Sequence, residues 1–193
     1  KLFKTALIIR IVYVIFIYFY YIKMTGLPHM YYPGDELLYE EVGLLLKDVG
    51  PSRFAELLRA YNISFSDSGY CWWLAFENFI LGTHPLSYRT VKCVVDAFSC
   101  VLIYNLAKRN FGEATGRIAG IFCMLIPNLW YYCGLTLKET EMTFLTILFV
   151  ERADFALRSK KITISGLAFP ALIVLLMFTF RTALGAVLVA ALS

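Results

Sequence analysis

Charged residues are scarce in this sequence. Asp, Glu, Lys and Arg make up 17% of its 193 residues, whereas about a quarter of the residues in a soluble domain carry a charge. Hydrophobic residues make up 60%, and the mean hydropathy is +0.67. The scarcity of charge argues against an ordinary soluble domain and indicates a membrane protein.

The sequence also lacks the patterns of a metal site and of a nucleic-acid-binding surface. Its five cysteines form no CxxC pair and have no histidine at ligand spacing, which argues against a bound metal ion. Cys71 and Cys133 are the two that could pair outside a membrane. The net charge of +4 includes no basic stripe, so we expect no nucleic-acid partner.

Six apolar segments dominate the composition. The predicted membrane spans are 5–22, 86–107, 117–135, 142–157, 162–180 and a truncated 182–193. Because the sequence starts at Lys1 without Met and stops inside an apolar run, we expect the N-terminal part of one transmembrane domain from a longer protein. The predicted fold is an all-α integral membrane protein, a multi-span helical bundle.

Residues 23–85 form one long polar loop between the first two spans. Apolar residues recur in it at helical spacing, first at Leu38, Val42, Leu45 and Val49, then at Phe54, Leu57, Leu58 and Tyr61. This periodicity predicts two amphipathic helices, which we expect to lie in the membrane interface with their apolar sides toward lipid. We further predict an irregular link over 64–70 and a third apolar helix over 71–81.

The charges are divided between the two sides of the predicted membrane. Eight of the 14 acids lie between Asp35 and Glu77, whereas Lys and Arg border the turns on the other side. The positive-inside rule then places the N-terminus in the cytoplasm and the long loop outside. Ionisable residues from distant parts of the sequence meet at the outer face: Asp35, Glu36, His84, Arg89, Lys138, Glu139, Glu141 and Arg181.

Asp35 and Glu36 begin the first amphipathic helix, directly after a Pro-Gly pair. Asp35 is well placed to cap that helix, and Glu36 to complement its positive end. Asp35 is also a candidate general base at a membrane-surface site. The two roles are compatible, because a cap also fixes a carboxylate in place.

Other polar residues at the outer face have two interpretations each. Lys138 and Glu139, before the fourth span, form either a solvated turn or a phosphate-binding site. Arg181 is either an interface residue or a ligand-binding cation. His84 is first a loop residue and second a binding group, and Tyr39 is expected to anchor the chain at the interface.

Arg89, Lys92 and Asp96 share one face of the second span. Charges inside a span are costly without partners. We expect Lys92 and Asp96, four residues apart, to neutralise each other. Arg89, near the outer end, is expected to reach a phosphate or the carboxylates of the loop.

Three motifs, in this order, carry a resemblance to a known family. They are the "DE" of Asp35 and Glu36, the block "LAKRNFGEATGRIAG" with Arg89 before it, and the "KE" of Lys138 and Glu139. This order resembles the N-terminal half of the GT-C-type, polyprenyl-phosphate-dependent glycosyltransferases. That family includes the protein O-mannosyltransferases and the bacterial aminoarabinose transferases. The resemblance extends from the first span through the fifth.

The resemblance implies an enzyme that moves a sugar from a polyprenyl-phosphate donor to an acceptor at the outer face of the membrane. Asp35 would be the base that deprotonates the acceptor, with Glu36 as its neighbour. Candidates for binding the donor phosphate are Lys138, Glu139, Arg181, Arg89 and His84.

The resemblance also implies where the protein works. Its partners would be the lipid-linked donor, the bilayer, and an acceptor that is a glycan, a lipid or a protein. Its location would be the bacterial plasma (inner) membrane, crossed several times. No DxD motif occurs in the first loop, so no motif supports a divalent metal and no cofactor is expected.

Two other functions fit the same residues. A transporter or channel would line its path with acids and with Arg89, Lys92 and Asp96. Against it, the charges cluster at one face and the spans lack glycine-broken segments at mid-membrane depth. A non-catalytic scaffold would use the long loop to pack on partner proteins.

Overall fold

A computed structural model describes residues 1–158 and 164–191, and every regular element in these two ranges is helical. The first five helices are α1 (Leu2–Thr25), α2 (Gly34–Val49), α3 (Phe54–Ala60), α4 (Phe65–Leu81) and α5 (Pro85–Phe111), with a 3₁₀ turn at Pro51–Arg53. The others are α6 (Glu113–Leu125), α7 (Pro127–Cys133), α8 (Glu139–Arg158), α9 (Ile164–Phe180) and α10 (Thr182–Ala190). The all-α prediction is confirmed for the described residues.

Among the described residues, two helices, α1 and α5, are long and apolar enough to cross a membrane. They have 24 and 27 residues, which gives each a length of about 35–40 Å. An 18-residue stretch in each reaches a mean hydropathy of 2.1 in α1 and 1.5 in α5. They contain the predicted spans 5–22 and 86–107. Gly26 ends α1 with a left-handed backbone at φ 77°, where its N–H donates to the Ile22 carbonyl.

The predicted span over 117–135 is interrupted in the structure. Its residues fall in α6 and α7, and Ile126 between them has an extended backbone at φ −66° and ψ 117°. The cause is Pro127, the first residue of α7. Proline has no N–H to continue a helix and pushes the residue before it out of the helical region.

The last three predicted spans correspond to α8, α9 and α10. The helix α8 begins three residues earlier than the predicted 142–157. Positions 162–163 and 192–193 of the last two spans lie outside the described residues. In α9 the apolar stretch Ala168–Phe180 is shorter than the length that crosses a bilayer.

The long loop folds into helices that pack against protein. The two predicted amphipathic helices are α2 and α3, and the third apolar helix is α4. The irregular link over 64–70 was wrong, because α4 already begins at Phe65. The buried Val42 and Leu46 of α2 join one core with Leu74 of α4, so the apolar side of α2 faces protein rather than lipid. Gly43 permits this, since a Cβ there would lie 2.8 Å from the Leu74 Cβ.

Buried ion pairs join the long helices. Arg10 of α1 pairs with Asp96 of α5, and Lys92 of α5 lies 2.8 Å from a Glu141 carboxylate oxygen of α8. The predicted neutralisation of Lys92 by Asp96 was therefore wrong. Each of the two finds its ion-pair partner on another helix, where side chains converge inside the bundle instead of lying along one helix surface.

The ion pairs also show how the helices run. Asp96 of α5 pairs with Arg10 near the middle of α1. The Arg89 guanidinium, earlier in α5, lies 5.7 Å from the centre of the Tyr18 ring, which is closer to the end of α1. Hence α1 and α5 are antiparallel. The end of α1 and the beginning of α5 lie together, and we call this the loop end, because residues 26–84 connect there.

Helix α8 runs parallel to α5. Lys92 pairs with Glu141 near the beginning of both helices, and Arg109 pairs with Glu151 further along. Lys138, just before α8, therefore belongs to the loop end. The opposite end, which we call the basic end, carries the C-terminal parts of α5 and α8 with Arg109 and Arg158.

The five cysteines are free thiols and all are buried. Cys71 belongs to the core that α2 and α4 share, whereas Cys133 packs with Val14 and Cys93 beside α1. The two thiols that could have paired lie in separate clusters and form no disulfide.

Candidate functional site

A polar cavity of about 440 Å³ opens at the loop end. Four segments that are distant in sequence form it: the start of α2, the start of α4, the turn before α8, and the junction of α9 and α10. Its charged lining residues are Asp35, Asp67, Lys138, Glu139 and Arg181. The structure thus brings together four of the seven site residues predicted from the sequence, and adds Asp67.

Asp35 lies in the first turn of α2 with an exposed side chain. The prediction that it caps this helix was wrong. The capping position is Pro33, whose backbone has φ −85° and ψ 23°, and Gly34 already belongs to the helix. A carboxylate in the first turn still lies close to the positive end of the helix dipole. Its exposure leaves it accessible to a molecule in the cavity.

Lys138 extends into the cavity from the turn before α8 and is only 8% exposed. Its ammonium forms an ion pair with the Asp67 carboxylate. Burial, followed by the charge of Arg181, lowers the pKa of Lys138, while Glu139 and Asp35 act in the opposite direction. The cavity therefore holds a partly desolvated cation surrounded by carboxylates.

Arg181 supplies the second cation of the cavity. It stands between α9 and α10 with an extended backbone at φ −162°, and its side chain is exposed. Its backbone N–H donates to the Met177 carbonyl at 2.7 Å, which ties the junction to the end of α9. Arg181 and Lys138 reach the same cavity from different segments of the chain, so both are available to one bound anion.

Asp67 and Tyr39 were not predicted as site residues. The Tyr39 hydroxyl donates to Asp67 at 3.3 Å, and the ring is 7% exposed, so Tyr39 is a buried contact of the site rather than an interface anchor. Burial, followed by the charge of Asp35, raises the pKa of Tyr39 to about 12, which keeps its hydroxyl protonated. A signal for Asp67 was available: Ser64 and Asp67 have the spacing of a capping box at the start of a helix, and the Ser64 hydroxyl donates to Asp67 at 2.7 Å.

Glu36 lies outside the lining of this cavity. Its side chain is fully buried and accepts hydrogen bonds from the backbone N–H groups of Thr136 at 2.7 Å and Met30 at 3.1 Å. The Arg89 guanidinium lies 3.8 Å away. Glu36 thus joins the start of α2 to the turn before α8, which are the two segments that carry Asp35 and Lys138.

Arg89 and His84 also lie outside the cavity lining. Arg89 is fully buried and donates to the Pro28 carbonyl. The predicted partners of Arg89 were a phosphate or the carboxylates of the loop, and the structure places it beside the loop carboxylate of Glu36. His84 stands at the start of α5, where its Nδ1 accepts from the Leu86 N–H at 3.2 Å. His84 was predicted first as a loop residue, and in the structure it caps the start of α5.

The arrangement combines an exposed carboxylate with two cations at one cavity. A carboxylate can accept a proton from a hydroxyl group, and Lys and Arg side chains bind phosphate. Comparisons with protein-family models, with curated protein sequences and with solved structures found no match for this chain. Any assignment of function therefore rests on the chemistry of these residues and on the resemblance of the motifs.

Proposed function

We propose that the chain is part of a membrane glycosyltransferase that moves a sugar from a polyprenyl-phosphate donor to an acceptor. The setting is a multi-pass bundle in a bacterial plasma membrane, with a cytoplasmic N-terminus and the loop end outside. The apolar helices α1 and α5 support this setting by their length and composition. The acceptor is a glycan, a lipid or a protein.

In the proposed reaction Asp35 is the general base. It takes the proton of an acceptor hydroxyl while that oxygen attacks the anomeric carbon of the donor sugar. The bond between this carbon and the phosphate oxygen breaks, and the phosphate leaves with the electron pair. Lys138 and Arg181 bind the phosphate and stabilise the negative charge that it gains. Glu36 is a positioning residue, because it holds the start of α2 next to the turn before α8.

One observation carries the proposal: Asp35, Lys138 and Arg181 line the same cavity, although 146 residue positions separate the first from the last. A general base is useful only within reach of the atoms that react, and a phosphate-binding cation only beside the leaving group. The shared cavity supports the proposal because it groups the candidate base with the candidate phosphate-binding cations, at the end of the molecule where the apolar helices α1 and α5 meet the polar loop.

The test is sugar transfer by the full-length protein in lipid, with a polyprenyl phosphate that carries a labelled hexose or aminopentose. We expect Asp35→Asn to lower the transfer rate by at least ~10². The matched control is Asp48→Asn, which makes the same change at an exposed position on the same helix. Equal rates for Asp35→Asn and wild type, or no transfer by wild type, would contradict the proposal.

The buried ion pairs favour a second candidate, a transporter. Arg10 with Asp96 and Lys92 with Glu141 are charged groups on or beside apolar helices, where such groups often mark an ion path. Ion uptake into vesicles that contain the protein distinguishes the two functions. A transporter would show uptake without the lipid-linked sugar, and Asp35→Asn would leave that uptake unchanged.

A further inference from the structure

A second ionisable cluster lies inside the molecule, apart from the cavity. Its central residue is Glu77 of α4, which is 4% exposed, and its neighbours are Lys92 of α5 and Glu141 of α8, which are 1% and 5% exposed. The charges of Lys92 and Glu141 both act on the Glu77 carboxyl. Three helices thus each contribute one buried ionisable group to this cluster.

The charges of this cluster do not balance if every group is ionised. Lys92 supplies one ammonium, whereas Glu77 and Glu141 supply two carboxylates. The ammonium is already engaged, because it lies 2.8 Å from a Glu141 oxygen and also donates to the Leu137 carbonyl. A second buried negative charge would have no partner, which is costly. A buried acid in such a position is protonated instead.

Unpartnered polar atoms also surround the site. Within the described residues, Glu77 Oε1, Glu141 Oε1 and the Tyr70 hydroxyl have no hydrogen-bond partner. Tyr70 is completely buried, its ring lies 5.3 Å from the Lys92 ammonium, and its hydroxyl is influenced by both carboxyls. A protonated carboxyl would supply the hydrogen-bond donor that two carboxylates lack.

Other titratable groups face the site from the helices packed around it. Helix α2 contributes Glu40, helix α5 contributes Tyr88 in addition to Lys92, and helix α8 contributes Glu139 in addition to Glu141. Helix α9, which packs against both α4 and α8, contains no titratable residue in its sequence. Lys92 is the one cation among the groups that act on Glu77 or on Tyr70 beside it in the described structure.

We propose that Glu77 is a buried proton-binding site, at which the carboxyl is protonated and neutral in the folded protein at neutral pH. When the proton leaves for solvent, the Glu77 carboxylate competes with Glu141 for the Lys92 ammonium. The same ammonium donates to the carbonyl of Leu137, which neighbours the cavity residue Lys138. Release of the proton therefore weakens a contact that positions the turn carrying Lys138.

The local environment is consistent with this assignment. Burial, followed by the negative charge of Glu141, raises the pKa of Glu77 from 4.5 to about 8, while Lys92 and a hydrogen bond with the Trp73 side chain act in the opposite direction. The folded protein thus binds the proton more tightly than the unfolded chain. This contribution to stability is present below pH 4.5 and is lost as the pH rises through about 8.

The test is infrared difference spectroscopy of the full chain, which resolves the C=O stretch of protonated carboxyl groups. We expect a band in the wild type at neutral pH that disappears as the pH rises through about 8, and no such band in Glu77→Gln. Glutamine has the shape of the protonated acid, so this variant should fold. The proposal is overturned if Glu77→Gln keeps the full set of wild-type bands at neutral pH.

A second variant tests the charge balance. In Glu141→Gln the Lys92 ammonium loses its carboxylate partner and becomes available to Glu77, so we expect Glu77 to ionise and its band to be absent at neutral pH. Unfolding at a series of pH values gives an independent check. The wild type should lose stability relative to Glu77→Gln between pH 4.5 and about 8. An unchanged band in Glu141→Gln, or parallel stability profiles, would overturn the proposal.

Discussion

At the scale of single residues, the two cations of the cavity differ in burial. Lys138 is buried and held by Asp67, whereas Arg181 is exposed. An arginine keeps its charge at every physiological pH, but a partly buried lysine can lose its proton. Lys138 is therefore the cavity cation whose charge can change with pH. Its ion pair with Asp67 opposes deprotonation, as do the charges of Glu139 and Asp35.

Replacing Asp67 by Asn should make phosphate binding more sensitive to alkali. Burial and Arg181 already lower the Lys138 pKa, and the substitution removes a carboxylate that favours the ammonium. In the proposed function that ammonium binds the donor phosphate, so we expect this binding to be lost as the pH rises through the Lys138 pKa. We expect the midpoint of this loss to move to a lower pH than in the wild type.

The measurement is the affinity for polyprenyl phosphate over a series of pH values. Glu56→Gln is the control, since Glu56 is an exposed acid that pairs with Arg53 outside the cavity lining. A midpoint that is the same in Asp67→Asn and in wild type would show that Asp67 does not set the charge of Lys138.

At the scale of helices, the sequence predicts where helices occur better than it predicts which residues pair between them. Hydrophobic periodicity located α2 and α3, and runs of apolar residues located α1 and α5. The start of α4 was missed because Ser64, Ser66 and Ser68 favour turns as well as helix starts, although the spacing of Ser64 and Asp67 is a start signal. The break at Ile126 is caused by Pro127. The proline is visible in the sequence, but whether it kinks a helix or ends it depends on how the neighbouring helices pack.

The partners of buried charges could not be predicted. Along one helix, Lys92 and Asp96 have the spacing of an ion pair, yet each forms its ion pair across a helix interface. Such pairs depend on which helices become neighbours and on how they are aligned. The spacing of residues along one helix gives no information on either. The same limitation applies to Glu36, which was assigned to the site from its place beside Asp35. Only the packing of α2 shows that Glu36 is held by the backbone of Thr136 and Met30, whereas Asp35 lines the cavity.

Removing one member of the ion pair between Arg10 of α1 and Asp96 of α5 should destabilise the protein, because the other member is left as a buried charge without a partner. Arg10 and Asp96 are fully buried, at 0% and 1% exposure. In Arg10→Met the aspartate is left as an unpaired buried charge, and we expect a loss of roughly 3–5 kcal/mol in the free energy of unfolding. The double variant Arg10→Met, Asp96→Leu removes both charges and should recover most of that loss.

Thermal unfolding in detergent measures this effect, with a thiol-reactive dye as the probe, because all five cysteines are buried in the folded protein. Arg53→Met is the control, since Arg53 pairs with Glu56 in solvent. If Arg10→Met unfolds at the wild-type temperature, the pair does not hold α1 against α5.

At the scale of the whole molecule, charge is sorted between two ends. The loop end carries the acidic helix α2 and the cavity, and the basic end carries the C-terminal parts of α5 and α8. Antiparallel α1 and α5 separate these ends by the length of a membrane-spanning helix, about 35–40 Å. The proposed reaction needs this separation, because the base and the phosphate-binding cations must meet the donor at a single membrane surface.

Labelling from each side of the membrane tests the separation directly. Tyr32→Cys introduces a thiol at a position that is 90% exposed at the loop end, and Ala114→Cys introduces one at an exposed position beyond the end of α5. The native thiols are buried, so the wild type is the control for background labelling. A membrane-impermeant maleimide should label Tyr32→Cys in right-side-out vesicles and Ala114→Cys only in inverted ones. Labelling of both variants from the same side would place the two ends on one face of the bilayer, and α5 would then not cross it.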